Sequence, residues 1–445
     1  MSNLVCPLDF RYGRKKIKKI FSEESKLSRL LQVEAALAEA HAEVGNLPRE
    51  AAEIIKNNAT TKQVKLQRVK EIEAEINHDI MAVVKAFAEV CGESGKYIHL
   101  GATSYDIIDS ANAIQIKEAL DIINEGLKEL KNVLLHHADR YKHTVMLGRT
   151  HGQQAAPITF GLKMAVFASE INRQIKRLCI CKENISVGKM SGAVGTGAAL
   201  GGNFPKIQEI TMKKLGLKEE KGATQIVGRD RYIELLSFLA NVATTLEKFA
   251  TEVRNLQRNE IGEIAEAFGK KQVGSSTMPH KKNPITSEQI CGLARLVRSN
   301  LLPIWENAIQ WHERDLCNSS PERFILPHSL ILTDWIVTKT KEVFSNLMVY
   351  PEKMLKNIEK TSGIPMAESV MMALTRKGMD RQKAHELIRN LSMDAIEKNM
   401  HLKEIVLENS KVTEIMSNEE IHKAFDAKNY IGHAIEIVEK ILEER

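Results

Sequence analysis

Residues 229–261 read RDRYIELLSFLANVATTLEKFATEVRNLQRNEI, with no glycine and no proline. Ile233, Leu236, Ala240, Ala243, Leu246, Ala250, Val253 and Leu256 recur at three- and four-residue spacing. That is the seam of a helix, and its alanines permit close approach of a neighbour. At 1.5 Å per residue the stretch spans about 50 Å, longer than a small domain is wide. A helix of that length needs partners along its whole length. The expectation is a bundle of long helices, shared between subunits.

The helical pattern extends outward from this seam. Residues 23–44 carry Leu27, Leu30, Leu31, Val33, Ala36 and Leu37 on one face and are closed by Gly45 and Pro48. Residues 162–187 contain neither Gly nor Pro, and 111–147 contain one Gly and no Pro. Residues 304–320 and 328–350 continue the pattern, Pro351 breaks it, and Gly363–Pro365 marks a boundary. Residues 366–445 read as short helices, one opened by a Ser417/Glu420 capping box. The expected fold is all-α with three domains: an N-terminal helical domain over 1–110, a central long-helix bundle over 111–364, and a C-terminal helical domain over 365–445. Composition agrees. Gly is 25 and Pro 11 in 445 residues, both below the usual shares of about 7% and about 5%, too few for a turn-rich β protein. Apolar residues are 43%, which excludes global disorder. Charges are 63 basic against 57 acidic, net +6, and aromatics are 5%, which disfavours a nucleic-acid binder. No apolar run reaches a membrane span, so no membrane partner is expected. Six scattered cysteines and an N-terminus without a signal core point to reduced thiols in the cytoplasm.

Four polar, Gly-marked stretches interrupt the helices: 97–106, 148–154, 188–203 and 269–286. The last holds Lys270, Lys271, Lys281, Lys282 and His280 without an acid. Alone, it reads either as an anion-attracting mobile loop or as a solvated basic linker. Its core, Gly274-Ser275-Ser276-x-Met278-Pro279-x-Lys281-x-Asn283, resembles the signature of the fumarase/aspartase superfamily. That superfamily includes fumarase, aspartase, argininosuccinate lyase, adenylosuccinate lyase and a carboxymuconate cycloisomerase. His280 after the proline is closest to the adenylosuccinate lyase and cycloisomerase branches, and Glu288 also matches.

Further segments extend the resemblance. Gly148-Arg149-Thr150-His151 sits at a helix break and is similar to the segment that carries the general acid. His99-x-Gly101-x-Thr103-Ser104-x-Asp106 reads as an ordinary capped turn or as an oxyanion cradle, and it resembles a Thr-Ser carboxylate loop. His78-Asp79 resembles a pair near the phosphate and leaving group, with Asn77 preceding it here. Arg314, Ser319 and Arg323 lie in Trp311-His312-Glu313-Arg314-Asp315 and Ser319-Ser320-Pro321-Glu322-Arg323. They read as an ion-paired helix surface or a bidentate phosphate grip. They are similar to nucleotide-contacting segments, although Cys317 and Pro321 are unusual there. Arg11-Tyr12 and Thr224-Gln225, the latter followed by Arg229-Asp230 at the start of the long helix, complete the resemblance, and Gly378 and Arg381 fit a looser C-terminal pattern. The Ser191–Thr196 glycine loop reads equally as a family loop or a plain connector.

The resemblance implies β-elimination releasing fumarate. The proton leaves a carbon beside a carboxylate, so the site must supply a base, charge to hold the dianion, and an acid for the leaving nitrogen. It implies Ser275 as base (the choice over Ser276 rests on the family), Lys281 and Asn283 holding the dianion, His151 as acid with Glu288 tuning it, and His78 beside the leaving group. Arg11, Tyr12, Asp79, Thr103, Ser104, Thr150, Gln225, Ser276, Met278, Arg314, Ser319 and Arg323 are implied to bind substrate. No metal or organic cofactor is needed. The adenylosuccinate lyase branch implies adenylosuccinate and SAICAR as substrates, and a homotetramer whose sites are shared between three chains. A cycloisomerase of the same superfamily and a catalytically silent structural homologue are the alternatives. A P-loop is absent, Gly195-x-Gly197 lacks the context of a dinucleotide fold, and the Ala-Ser-Gly of aromatic ammonia lyases is missing.

Overall fold

The computed structural model describes residues 5–269, 277–278 and 280–444; Ser275 and Ser276 lie outside the described residues. The elements that organise it are α1 (Glu23–Glu43), α2 (Asp79–Cys91), α3 (Ser104–Arg140), β1 (Val145–Thr150), β2 (Gln153–Thr159), α4 (Phe160–Ile185), α5 (Asp230–Leu256), α6 (Ile285–Ser299) and α7 (Ser319–Ser345). Shorter helices fill the intervals. Among the described residues sheet is confined to three two-stranded ladders: β1 with β2, residues 187–188 with 218–219, and 264–265 with 348–349. The fold is all-α in class, as expected. No helix among the described residues is long and apolar enough to cross a membrane.

Local chemistry sets the helix ends. Ser22 caps α1 by accepting the Ser25 N–H, and Glu23 and Glu24 lie at the positive end of its dipole. The long seam yields 27 helical residues, Asp230–Leu256, about 40 Å rather than about 50 Å. Beyond Leu256 the apolar stripe gives way to Gln257, Arg258, Asn259 and Glu260, and Gly262 turns the chain at φ +58°. The segment 304–320 leaves the helix after Asn307 and re-enters it only at Ser319. There the Asp315 carboxylate accepts the N–H groups of Trp311 (3.0 Å) and Cys317 (2.7 Å), which offers the backbone an alternative to the helix. Within 111–147 the helix stops at Arg140, and Val145–Leu147 turn into a buried strand instead.

The chain divides into two compact units. One comprises residues up to 127, 173–247 and 290–339; the other comprises 128–172, 248–289 and 340–445. In the first unit, Leu27, Leu31 and Leu37 of α1 and Phe87 of α2 share a core with Ile107, Met190, Ile207 and Met212. The buried Gln174 amide donates to Asn241 (2.6 Å) and Thr245 (2.9 Å), a polar tie between α4 and α5. Arg14 forks onto the buried Asp334 of α7. In the second unit, Phe167 of α4 stacks on Phe249 of α5 with centroids 3.9 Å apart, and Phe344 of α7 meets both edge-on. Its C-terminal helices have their own core of Val370, Leu374, Ile388, Leu402, Val412 and Ile421, and the Ser417/Glu420 capping box is formed.

Phe249 is fully buried within the aromatic triple. Phe249→Ala should cost about 3–5 kcal/mol of stability, through lost burial and a residual cavity. Urea denaturation of the two proteins measures this directly.

Candidate active site

In the first unit the Thr103–Ser104 turn opens α3. The Asp106 carboxylate accepts the Thr103 N–H at 2.8 Å, the reciprocal half of a capping box. One turn upstream, His99 sits at φ +64° and is held by the buried Glu34, whose carboxylate takes both its N–H (3.1 Å) and its ring Nδ1 (2.6 Å). Tyr105 follows Ser104, is buried, and shares a hydrogen bond with the Ser319 hydroxyl; burial pushes its phenol up. The Arg314 guanidinium lies 3.6 Å from the Tyr105 ring centroid and donates to the Gln225 side-chain oxygen at 2.9 Å. Stacking plus one fixed donor leaves the guanidinium little freedom.

Ser319 is the first residue of α7, and Arg323 lies one turn on. Arg323 pairs with Asp79 at 2.7 Å, both half-exposed. Asp79 begins α2, and His78 caps that helix by accepting the Met81 N–H through Nδ1 at 3.3 Å. Asn77 adopts the left-handed conformation that ends the preceding helix. Asp79, Tyr105, Ser319 and Arg323 line a cavity of about 260 Å³ with Lys26 at its wall. Tyr12 meets the Trp335 ring of α7 edge-on at 6.3 Å, and Arg11 is exposed beside it.

Beneath these residues lies a buried hub. Arg229 uses all five of its donors: two on Asp109 of α3 (2.9 and 3.0 Å), two on Glu322 of α7 (2.9 and 3.1 Å) and one on the Val227 carbonyl (2.8 Å). Asn318 donates to Glu322 at 3.1 Å, and Arg314 reaches Asn318.

In the second unit Thr150 and His151 belong to the β1–β2 hairpin. His151 at φ +55° and Gly152 at φ +75° form its two-residue turn, as tight hairpins demand. The expected loop at 148–154 is thus the tip of a hairpin, and His151 is displayed at that tip, exposed. Arg149 anchors the strand, forking onto the fully buried Glu263 at 2.7 and 2.9 Å, where Asn357 adds a third donor at 2.9 Å. Of the basic loop, Met278 and Lys281 are exposed, and the Lys281 N–H returns to the Met278 carbonyl at 3.1 Å. Asn283 is half-buried. The exit of the loop is pinned by Gln257, which donates to the Lys282 carbonyl (3.1 Å) and accepts the Glu266 N–H (2.9 Å). Glu266 in turn caps α6 through the Thr286 (3.2 Å) and Ser287 (2.6 Å) N–H groups. Glu288 lies exposed in the first turn of α6. A depression of about 1170 Å³ is lined by Met278, His280, Lys281 and Asn283 together with Arg254 and Arg258.

The candidate residues therefore fall into two groups. His78, Asp79, Thr103, Ser104, Gln225, Arg314, Ser319 and Arg323 gather in the first unit with Arg11 and Tyr12. Thr150, His151, Met278, Lys281, Asn283 and Glu288 belong to the second. Sequence reasoning missed the supports Lys189, Glu263 and Glu266, which no local signal marks. Asp106 and Arg229 stand within the motif segments, but the sequence assigned them no supporting role; for Asp106 the signal was local, an acid at the third helical position after Thr103.

Residues 9–299 match a family model described as Lyase, and residues 363–441 match one described as Adenylosuccinate lyase C-terminus. A protein of Pyrococcus horikoshii named adenylosuccinate lyase is 53% identical over 99% of this chain and 97% of its own length. Its namesake from Pyrococcus abyssi is 52% identical over 98% and 97%. Among solved structures, a fumarate lyase from Mesorhizobium sp. BNC1 superposes with a TM-score of 0.90 at 30% identity, covering 97% of this chain and 98% of that one. The long-helix fold agrees with the family match and the relatives, which make this chain a carbon–nitrogen lyase of the fumarase/aspartase superfamily. Within it, this chain belongs to the adenylosuccinate lyase family, and the C-terminal match does not favour the cycloisomerase alternative.

Two consequences follow from the supports. Arg229→Met leaves two buried carboxylates unpaired and should cost about 3–5 kcal/mol in chemical denaturation. At His99, burial opposes the charge, but the Glu34 carboxylate outweighs it and raises the pKa above the ordinary value. The stabilisation is complete below about pH 6.5 and is lost as pH rises through the raised folded value. The melting-temperature gap between wild type and His99→Asn should therefore narrow as pH is raised from about 6 to about 9.

Proposed function

We infer that this chain catalyses β-elimination of fumarate from adenylosuccinate, giving AMP, and from SAICAR, giving AICAR. The observation that carries the reading is the cationic cluster of the first unit. Arg314 is clamped between Gln225 and Tyr105, while Ser319 and Arg323 stand at the start of α7. A helix N-terminus with a hydroxyl and two guanidiniums suits a nucleotide phosphate. The Arg323–Asp79 pair is solvent-accessible and contributes little by itself, so a phosphate can take over Arg323. Arg11 and Tyr12 are assigned to the nucleotide by the family resemblance.

Thr103 and Ser104 hold a substrate carboxylate. Ser275 removes the proton from the carbon beside a carboxylate. Its alkoxide requires nearby positive charge and exclusion of water, and Lys281 supplies the charge. Lys281 and Asn283 hold the dianion, with Ser276, Met278 and Thr150 shaping the pocket. His151 protonates the departing nitrogen, tuned by Glu288, and His78 stands at the leaving-group end.

The site is completed by other copies of the chain, in a homotetramer whose active sites draw on three chains. His151, Lys281 and Glu288 are exposed in a single chain, where water would quench this chemistry. Large apolar side chains also stand in solvent: Leu302 at 63%, Trp305 at 50%, Ile309 at 70% and Trp311 at 76% exposure. A patch of that kind calls for a protein partner.

Purified protein incubated with adenylosuccinate should release fumarate. Ser275→Ala and His151→Ala should each lose about 10²–10⁴-fold in kcat, the usual share of a general acid or base, with melting unchanged. Full turnover in both variants overturns the assigned roles. Light scattering should give four chains per particle, and a fully active monomer overturns the shared site.

A further inference from the structure

The Ser191–Thr196 glycine loop has no role in the reading above, yet it is built into the site. The Asp106 carboxylate is fully buried and surrounded by four donors. These are the Lys189 ammonium, also fully buried, and the N–H groups of Thr103 (2.8 Å), Ser191 (3.1 Å) and Gly192 (3.1 Å). Lys189 itself is held on a fixed backbone. Its carbonyl accepts the Ser110 hydroxyl (3.4 Å), and the next N–H, of Met190, goes to Gln208 (3.0 Å). The Gly101 turn also packs closely on the short helix that follows the glycine loop. A Cβ on Gly101 would lie 2.8 Å from the Ala199 carbonyl oxygen, and Gly101 adopts φ +71°.

The far side of the glycine loop is bonded as well. The Ala193 carbonyl accepts the Gln225 side-chain amide at 3.2 Å, and the oxygen of that same amide accepts from Arg314. A continuous chain of bonds therefore runs from Thr103 through Asp106, Ser191–Ala193 and Gln225 to Arg314. One end is the hydroxyl turn, and the other is the clamped guanidinium. A buried Lys–Asp pair is an expensive way to hold two loops together, because apolar replacements of equal volume commonly stabilise as well or better. What the pair supplies beyond stability is direction: a carboxylate with four fixed donors has one orientation.

We propose that Asp106 and Lys189 are positioning residues that set the Thr103–Ser104 turn to receive a carboxylate of the substrate, with the glycine loop as the strut that keeps it in register with Arg314. This rests on the lyase reading and deepens it. The pair touches no substrate. It acts through the Thr103 backbone, so its removal should misplace the carboxylate-binding end while the nucleotide end persists.

Two variants test the assignment. Asp106→Asn keeps the shape and turns half of the acceptor into a donor, against the N–H groups it must bind. Asp106→Asn/Lys189→Met removes both buried charges together, so folding does not depend on an unpaired ion. For each, inhibition constants are measured separately for the products AMP and fumarate, alongside KM for adenylosuccinate and the melting temperature. The expected result is fumarate inhibition weakened about tenfold or more, the scale of a lost charge-assisted bond, and KM raised in parallel. AMP inhibition should stay within about threefold, well inside a tenfold step of affinity. Fumarate and AMP weakening together, or fumarate inhibition unchanged in the doubly substituted protein, overturns the positioning role. Wild-type protein that releases no fumarate overturns the lyase reading itself, which separates the two failures.

Discussion

A guanidinium cannot be buried alone, and the first unit is organised around that constraint. Arg229 precedes α5 and is nearly inaccessible, so each of its donors must be met inside the protein. Asp109 on α3 and Glu322 on α7 meet four of them, and the Val227 carbonyl meets the fifth. Three helices are thereby tied at one point. Asp109 lies one turn after Tyr105, and Glu322 lies beside Arg323 and one turn after Ser319. The candidate phosphate-binding side chains stand directly on the helix ends that this ion triad aligns.

The second unit uses the same device on a smaller scale. Glu263 is fully buried and is satisfied by the fork of Arg149 and by Asn357. That bond fixes the strand leading to His151, and a left-handed pair of residues at the hairpin tip projects the imidazole outward. Gln257 and Glu266 do corresponding work for the basic loop, holding its exit and the start of α6 through backbone N–H and carbonyl groups. In both units the candidate site side chains are exposed or half-buried, and a buried charge behind them bears the positional load. Such an arrangement separates rigidity from reactivity.

Motif residues were legible in the sequence to the extent that their chemistry is local. His151 stands out because Gly, Arg and Thr surround it at a break in helical periodicity. The basic loop stands out because glycine and proline forbid a helix around its lysines. Their supports were not legible. Nothing near Arg149 points to Glu263, 114 positions away, and nothing near Asp106 points to Lys189, 83 positions away. Local competition also escaped the pattern. Asp315 satisfies backbone groups around it and dissolves a helix that apolar spacing alone would have continued to 320.

The sequence by itself determined the class of fold, because a three/four apolar spacing sustained over several long stretches without glycine or proline favours packed helices over sheet. It also determined the reaction chemistry available, since side-chain identity sets which groups can be base, acid or cation. Tertiary structure alone decided where helices stop, that Val145–Leu147 become a strand, and which buried acid receives Arg149, Lys189 or Arg229. Those outcomes are set by pairing between distant segments, where a buried charge or an unpaired strand must find its partner, and no local pattern encodes the partner's position.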